Sequence, residues 1–214
     1  MVWKKGMEPK LTDGISRDHK KALKKSLLWT AIGVALMAGP LLISTLRARW
    51  RADLADGQTH AWFDVSSSSF NNGGRIPDRL TCRGANLSPA VEFSARPVGT
   101  KSFAIVMDDS DSPFGYVHWL VYNIPGDAGE VAEGASSQRK LPAGASEGPS
   151  SADTNGYSGP CPPGNRTHHY VIRIYALDTG ASLLPGMTKQ QLAAVVKGRV
   201  LAEGQLTGLY GGGN

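Results

Sequence analysis

The chain has few cysteines and few charged residues, and this already excludes several protein classes. Its 214 residues include 2 cysteines, without the CxxC or Cys/His spacing of a zinc site, so structural zinc is not expected. Charged residues make up 19% and hydrophobic residues 41%, which provides a folded core and excludes a wholly disordered chain. No internal repeat or heptad run occurs, so a coiled coil is excluded as well.

The positive charge is concentrated at the N-terminus. Residues 1–51 contain 11 Lys and Arg against 3 Asp and Glu, a net charge of +8. Residues 52–214 contain 12 against 15, a net charge of −3. Because the body of the protein is mildly acidic, the overall charge of +5 does not indicate a nucleic-acid-binding domain.

An uncharged run near the N-terminus predicts a membrane anchor. Residues 26–46, SLLWTAIGVALMAGPLLISTL, contain no charged side chain, and as a helix they would extend about 31 Å, enough to cross a bilayer. Eight Lys and Arg precede the run and three follow closely, which favours a cytoplasmic N-terminus and an exported domain. A buried helix of a soluble protein and a cleaved signal peptide are the alternatives. The run is longer than the usual apolar region of a signal peptide and is followed by arginines, which favours an uncleaved anchor.

These features divide the chain into four parts. We expect a basic cytoplasmic tail over residues 1–25, a transmembrane anchor over 26–46, a stalk over 47–61 and an exported domain over 62–214. The predicted localisation is therefore a single-pass membrane protein whose domain is periplasmic or extracellular.

The exported domain is predicted to be mainly β. Short apolar runs separated by Gly, Pro, Asn and Asp are typical of strands and turns, and the sequence around residues 126–155 reads as a long loop. The predicted strands cover residues 102–107, 116–124 and 170–177. A helix is predicted over residues 189–203, because Thr188 and Gln191 form a capping box and Leu192, Val195, Val196 and Val200 fall on one face.

The two cysteines, Cys82 and Cys161, both belong to the part predicted to be exported. A disulfide is allowed in that compartment, and a pair of free buried thiols is the alternative.

Polar residues capable of chemistry collect at three places. These are the DDSDSP run at 108–113, His118 in the second predicted strand, and the segment from Gly156 that leads into His168 and Tyr170. Each of these alone is weak evidence for a functional site, since an Asp-rich run before Pro is usually a capped turn. Because strand side chains alternate, His168 and Tyr170 should share a face, whereas His118 is expected to share its face with Leu120 and Tyr122.

Three segments together resemble the phosphatidylethanolamine-binding protein (PEBP) family, in its bacterial Raf-kinase-inhibitor-like branch. They are IPDRLTCRGANLSPAVEF (76–93), GTKSFAIVMDDSDSPFGYVHWLVYNIP (99–125) and GYSGPCPPGNRTHHYVIRIYALD (156–178). The resemblance covers roughly residues 62–210. It implies a PEBP-like β-sandwich with one or two peripheral helices and a small anion-binding pocket at one end of the sheets, and bacterial members suggest a homodimer.

The resemblance also implies the binding residues. The family pattern of D-x-D-x-P, a strand histidine, S-G-P and H-x-Y matches this sequence at six positions, which are Asp109, Asp111, His118, Gly159, His168 and Tyr170. His169 stands where the family often has Arg. Cys82 and Cys161 lie in segments that adjoin the implied pocket, so we expect both near its mouth.

The residues themselves favour binding over turnover. His118, His168, the Tyr170 hydroxyl and a backbone N–H near Gly159 can donate hydrogen bonds to a phosphate-like group, and Asp109 could meet the ammonium of phosphoethanolamine. The sequence shows no Ser/His/Asp catalytic triad, since the GxSxG motif that positions a nucleophilic serine is missing.

We therefore expect a non-enzymatic, membrane-anchored module for a small phosphorylated ligand or phospholipid headgroup, with no cofactor and no bound metal. As the resemblance allows, it could also inhibit a protein partner. The alternatives are a metal-dependent phosphoester hydrolase, in which Asp and His hold a divalent ion, and an envelope interaction protein with a vestigial pocket.

Overall fold

A computed structural model describes residues 61–93, 96–113, 115–180 and 182–212. The predicted cytoplasmic tail, the anchor at 26–46 and nearly all of the stalk lie outside this part of the chain. Within it, no helix has both the length and the apolar character needed to cross a membrane.

In the described part of the chain, eight strands form two sheets. They are β1 (Ala61–Trp62), β2 (Val91–Glu92), β3 (Ser102–Asp109), β4 (Tyr116–Pro125), β5 (Glu130–Val131), β6 (Ser146–Glu147), β7 (Thr167–Leu177) and β8 (Val200–Gly211). The larger sheet has the order β1-β8-β7-β3-β4-β6, and β2 pairs with β5 in the smaller one. Neighbours are antiparallel except β1 and β8. The prediction of a mainly β domain is confirmed, and each predicted strand is extended by one to three residues.

The larger sheet is covered on both faces. On one face, Phe103, Ile105 and Ile172 pack in a buried cluster with Val91 and Val131 of the smaller sheet. A second buried cluster, on the other face, joins sheet residues to the helix. Burial on both faces explains why β3 and β4 are almost continuously apolar rather than alternating.

The helix, α1 (Lys189–Val196), is shorter than predicted. The capping box is present, with Thr188 accepting from the Gln191 N–H and the Gln191 side chain accepting from the Thr188 N–H. The helix ends because Gly198 adopts a positive φ of 70°, and Val200 begins β8 instead of a further helical turn. Leu192 and Val196 are buried, but Val195 is 49% exposed, so it does not share their face as predicted.

Candidate functional site

A cavity of about 560 Å³ opens where β3 ends and where β4 and β7 begin. Because β4 and β7 both run antiparallel to β3, the last residue of β3 and the first residues of its two neighbours meet at one edge of the sheet. Its lining includes five of the six residues that the resemblance implied, which are Asp109, His118, Gly159, His168 and Tyr170.

His118 reaches the cavity through a β-bulge. Met107 pairs with Trp119 and Asp108 with Val117, so His118 is an extra residue without a partner on β3. The bulge places His118 on the side of the sheet where Tyr170 lies, and the two rings meet edge to face at 5.0 Å. The expectation that His118 shares a face with Leu120 and Tyr122 is therefore wrong, because strict alternation is broken at this position.

Asp109 holds the turn after β3 and orients His168. Its Oδ1 accepts the backbone N–H groups of Asp111 at 2.9 Å and Ser112 at 3.2 Å. Its Oδ2 accepts from His168 Nδ1 at 2.8 Å. Since a carboxylate only accepts, the proton of that bond is on Nδ1, and His168 can donate to a ligand through Nε2 only as an imidazolium.

His118 is buried, and its ring is oriented by a carbonyl. Nδ1 donates to the Ser158 carbonyl oxygen, so a neutral ring has its lone pair on Nε2. Burial lowers the pKa of His118, and the bond to Ser158 and the charge of Asp109 oppose this only in part. A neutral His118 can therefore accept but not donate a hydrogen bond at Nε2, contrary to the donor role expected from the sequence.

The lowered pKa of His118 predicts that the stability of the domain depends on pH. Between its folded pKa and the ordinary histidine value of about 6.5, the unfolded chain binds more protons than the folded one. The free energy of unfolding should therefore fall as the pH drops below about 6.5, by at most about 1.4 kcal/mol per pH unit from this group. Urea denaturation of the full chain between neutral and mildly acidic pH measures this.

The control for that prediction is His118→Asn, since the Asn amide can still donate to Ser158 but does not titrate. The variant should lose the His118 share of the acid sensitivity. Equal sensitivity in both proteins would contradict the assignment of a buried, neutral His118.

Tyr170 has a buried hydroxyl group. The side chain is 1% exposed, and its Oη has no hydrogen-bond partner among the described residues. Burial, with the nearby charges of Asp109 and Asp111, raises the pKa of Tyr170. The hydroxyl therefore remains a neutral O–H group. An unpaired buried polar group usually costs about 1–3 kcal/mol, so a ligand acceptor at this position would stabilise the site.

Asp111 does not line the cavity. Its Oδ2 accepts from the backbone N–H of His169 at 2.7 Å and from His169 Nδ1 at 2.8 Å, and both side chains are exposed. Burial alone would raise the pKa of Asp111, but these two hydrogen bonds hold it below its usual range. The carboxylate faces outward because His169 precedes Tyr170 by one residue and so points away from the cavity.

Gly159 lines the cavity, but its backbone N–H is not available to an anion. That N–H donates to Asn86 Oδ1 at 2.7 Å. A Cβ at Gly159 would lie 2.5 Å from the Leu80 carbonyl oxygen and 2.6 Å from Asn86 Oδ1, so glycine permits close packing of two loops. The expected donor role is replaced by a structural one.

A disulfide joins these loops at the cavity wall. Cys82 and Cys161 are bonded, with their Cα atoms 5.5 Å apart, and both line the cavity. The Cys82 N–H also donates to the Pro160 carbonyl at 3.2 Å. The wall therefore has both a covalent and a hydrogen-bonded connection between segments that are distant in sequence.

Comparison with known proteins identifies the family. Residues 66–211 match the family model described as phosphatidylethanolamine-binding protein. The chain belongs to the PEBP family. This confirms the resemblance seen in the sequence.

Related sequences and structures agree with this assignment. A UPF0098 protein of Methanothermobacter thermautotrophicus is 40% identical over 148 residues, which cover 69% of this chain and 97% of that protein. A Mycobacterium tuberculosis protein named as a lipoprotein, LppC, is 37% identical over 69% of this chain and 72% of its own length. The crystal structure of Escherichia coli YbcL, named as a member of the mammalian PEBP family, superposes with a TM-score of 0.65 and 30% identity. The match covers 70% of this chain and 98% of YbcL.

The PEBP-family cavity also contains residues that sequence reasoning missed. Tyr116 lines it and packs on His118 with ring centres 4.6 Å apart, and Asn86, Pro162 and Pro163 form part of its wall. Tyr116 could have been found from the sequence, because it lies two residues before His118. The role of Asn86 has no such signal, because it depends on a contact with Gly159 across 73 residues.

Proposed function

We propose that this PEBP-family domain binds a small phosphorylated ligand, such as a phospholipid headgroup, in the cavity and does not turn it over. The observation that carries this proposal is the Tyr170 hydroxyl, which has no hydrogen-bond partner within the described part of the chain. Tyr170 lines the cavity, and no hydrogen bond among the described residues has to be broken for its hydroxyl to donate to a ligand.

The remaining cavity groups fit a zwitterion better than an isolated phosphate. No Lys or Arg is among the described residues that line the cavity, so a phosphate meets cationic charge only when a histidine is protonated. The carboxylate of Asp109 would oppose a bare anion but attract an ammonium group. A ligand that combines phosphate and ammonium, as phosphoethanolamine does, offers its ammonium group to Asp109 and its phosphate to the hydrogen-bond donors of the cavity.

Binding rather than catalysis is supported by how the polar groups are engaged. Both oxygens of Asp109 accept hydrogen bonds, and the raised pKa of Tyr170 keeps that hydroxyl from acting as a phenolate nucleophile. A metal-dependent hydrolase is the alternative. In the part of the chain that the structure describes, no group of three or more His, Cys, Asp or Glu side chains is placed to hold a metal ion.

We further propose that the chain is held at a membrane with its domain exported. The uncharged run at 26–46 supports this, and the Cys82–Cys161 disulfide is of a kind that persists in oxidising compartments. The M. tuberculosis relative named as a lipoprotein is consistent with a membrane-associated member of the family.

The test of the cavity is Tyr170→Phe, which removes only the hydroxyl. We expect phosphoethanolamine affinity, measured by calorimetry on the full chain, to fall about tenfold, while the free energy of unfolding is unchanged or slightly higher. The stability expectation follows because the removed oxygen has no partner among the described residues.

Tyr122→Phe is the matched control. The Tyr122 hydroxyl donates to the Leu184 carbonyl and accepts from the Met187 N–H, on the face of the sheet that packs against α1. This variant should be less stable by about 1–2 kcal/mol and bind normally. Unchanged affinity in Tyr170→Phe would refute the proposed site, and turnover of a phosphoester that requires added divalent metal would favour the hydrolase.

A further inference from the structure

The Cys82–Cys161 disulfide lies in the cavity wall and is open to solvent. Both cysteines line the cavity, and both are exposed. A thiolate can attack an exposed disulfide, whereas burial protects one. The chain contains no other cysteine, so thiol chemistry on this protein acts at the cavity.

The loop that carries Cys82 is firmly anchored. Thr81 is fully buried, and its N–H donates to the Asp78 carbonyl at 3.0 Å. Its Oγ1 accepts the Arg83 N–H at 3.2 Å, so both neighbours of Cys82 are held. The Tyr210 hydroxyl, on β8, donates to Asp78 Oδ1 at 3.0 Å and connects this loop to the sheet. Breaking the disulfide leaves all of these hydrogen bonds intact.

The Cys161 segment, defined as residues 161–163, is held much less. The residue before it is tied to the other loop, since the Pro160 carbonyl accepts from the Cys82 N–H at 3.2 Å. Within the described chain, no hydrogen bond joins residues 161–163 to another segment. Two of the three residues are prolines, which have no N–H to donate. Regular pairing resumes only at Thr167, where β7 begins.

The disulfide is thus the strongest connection of the Cys161 segment to the rest of the wall. Pro162 also packs beside Gly211 at the end of β8, where an added Cβ would lie 3.0 Å from Pro162 Cγ. This packing covers only part of the segment, since Cys161 and Pro163 are exposed. All three residues line the cavity. A displacement of the segment therefore changes the shape of the cavity without breaking any strand pair.

We propose that this disulfide is a redox switch of the cavity. The bonded form holds the Cys161 segment in the wall and binds the ligand, and reduction by a dithiol releases the segment and weakens binding. The inference rests on the proposed ligand binding in the cavity. Because Asp109, His118 and Tyr170 belong to paired strands, they stay in place in both forms, and the ligand loses only its contacts with the wall.

The exchange requires a dithiol as the co-reactant. One thiolate of the dithiol attacks the Cys161 sulfur, the bond between the two cysteines breaks, and Cys82 leaves as a thiolate that takes up a proton. The second thiolate of the dithiol then attacks its own sulfur in the mixed disulfide, and Cys161 leaves and is protonated in turn. The dithiol is oxidised to a cyclic disulfide, and its two electrons and two protons reduce the cysteines.

The first measurement follows the motion of the wall and needs no ligand. Backbone order parameters of the ¹⁵N-labelled full chain in mild detergent are compared before and after reduction with dithiothreitol. We expect the values at Cys161 and Gly164 to fall from about 0.85, typical of rigid backbone, to below about 0.6. Ile172, in β7, should stay at about 0.85.

The second measurement is calorimetry of the oxidised and the reduced chain with phosphoethanolamine. We expect the affinity to fall about tenfold on reduction, within the usual range for coupling between two sites. Linkage requires the reverse effect as well. Saturating phosphoethanolamine should make the disulfide about tenfold harder to reduce at equilibrium with a fixed ratio of reduced and oxidised dithiothreitol.

A Cys82→Ser/Cys161→Ser variant is the control, and it should match the reduced chain in both measurements without responding to dithiothreitol. Equal order parameters in the two forms, or equal affinities, would overturn the switch. So would a loss of order at Ile172 on reduction, because the bond would then maintain the whole fold rather than the wall. If the oxidised chain does not bind phosphoethanolamine, the proposed cavity function fails, and the order parameters still decide whether reduction releases the wall.

Discussion

Reduction of the Cys82–Cys161 disulfide is expected to lower the free energy of unfolding of the domain by about 4 kcal/mol. The two cysteines are separated by 79 residues, so the bond removes much of the freedom of the unfolded chain. Urea denaturation of the full chain in mild detergent, followed by circular dichroism with and without reductant, measures the loss.

The sequence contains no other cysteine, which makes the control simple. A Cys82→Ser/Cys161→Ser variant should match the reduced protein and should not respond to reductant. If the wild-type transition is the same in both conditions, the bond either does not form in the purified protein or contributes nothing to its stability.

Replacement of His168 by Asn should weaken phosphate binding about ten- to a hundredfold, or about 1.5–3 kcal/mol. The Asn amide can still donate to Asp109, as His168 Nδ1 does, but it lacks the second ring nitrogen that would bind a ligand.

His169→Asn is the matched control, since His169 is adjacent in sequence but pairs with Asp111 outside the cavity. It should bind phosphate within about twofold of the wild type. Calorimetry of the full chain with inorganic phosphate tests both variants. Normal phosphate binding by His168→Asn would move the function away from this cavity.

The local pattern of the sequence predicted three of the eight described strands and the start of the helix. Apolar runs at 102–107, 116–124 and 170–177 become β3, β4 and β7, since buried strands need apolar side chains on both faces. The capping box at Thr188 is formed within four residues, so its signal is entirely local. β8 was missed because its alternating pattern is interrupted by Gly204 and Gly208, which pack closely against Phe63 and Ile76.

The cavity residues were predicted less completely, and His118 shows why. Strict alternation of side chains from Leu120 would place His118 on the face of the sheet that does not carry Tyr170. The bulge that moves it to the cavity is a property of the pairing between β3 and β4, and a single strand carries no sign of that register.

What the sequence by itself determined is the mainly β class, the family, and the residue types gathered in the cavity. Only the tertiary structure decided which of those residues face a ligand. It turned Asp111 outward to His169, engaged the Gly159 N–H with Asn86 and left the Tyr170 hydroxyl without a partner in the part of the chain that is described. The physical reason is that hydrogen-bond partners 58 and 73 residues apart are chosen by strand register and loop packing, which no local pattern encodes.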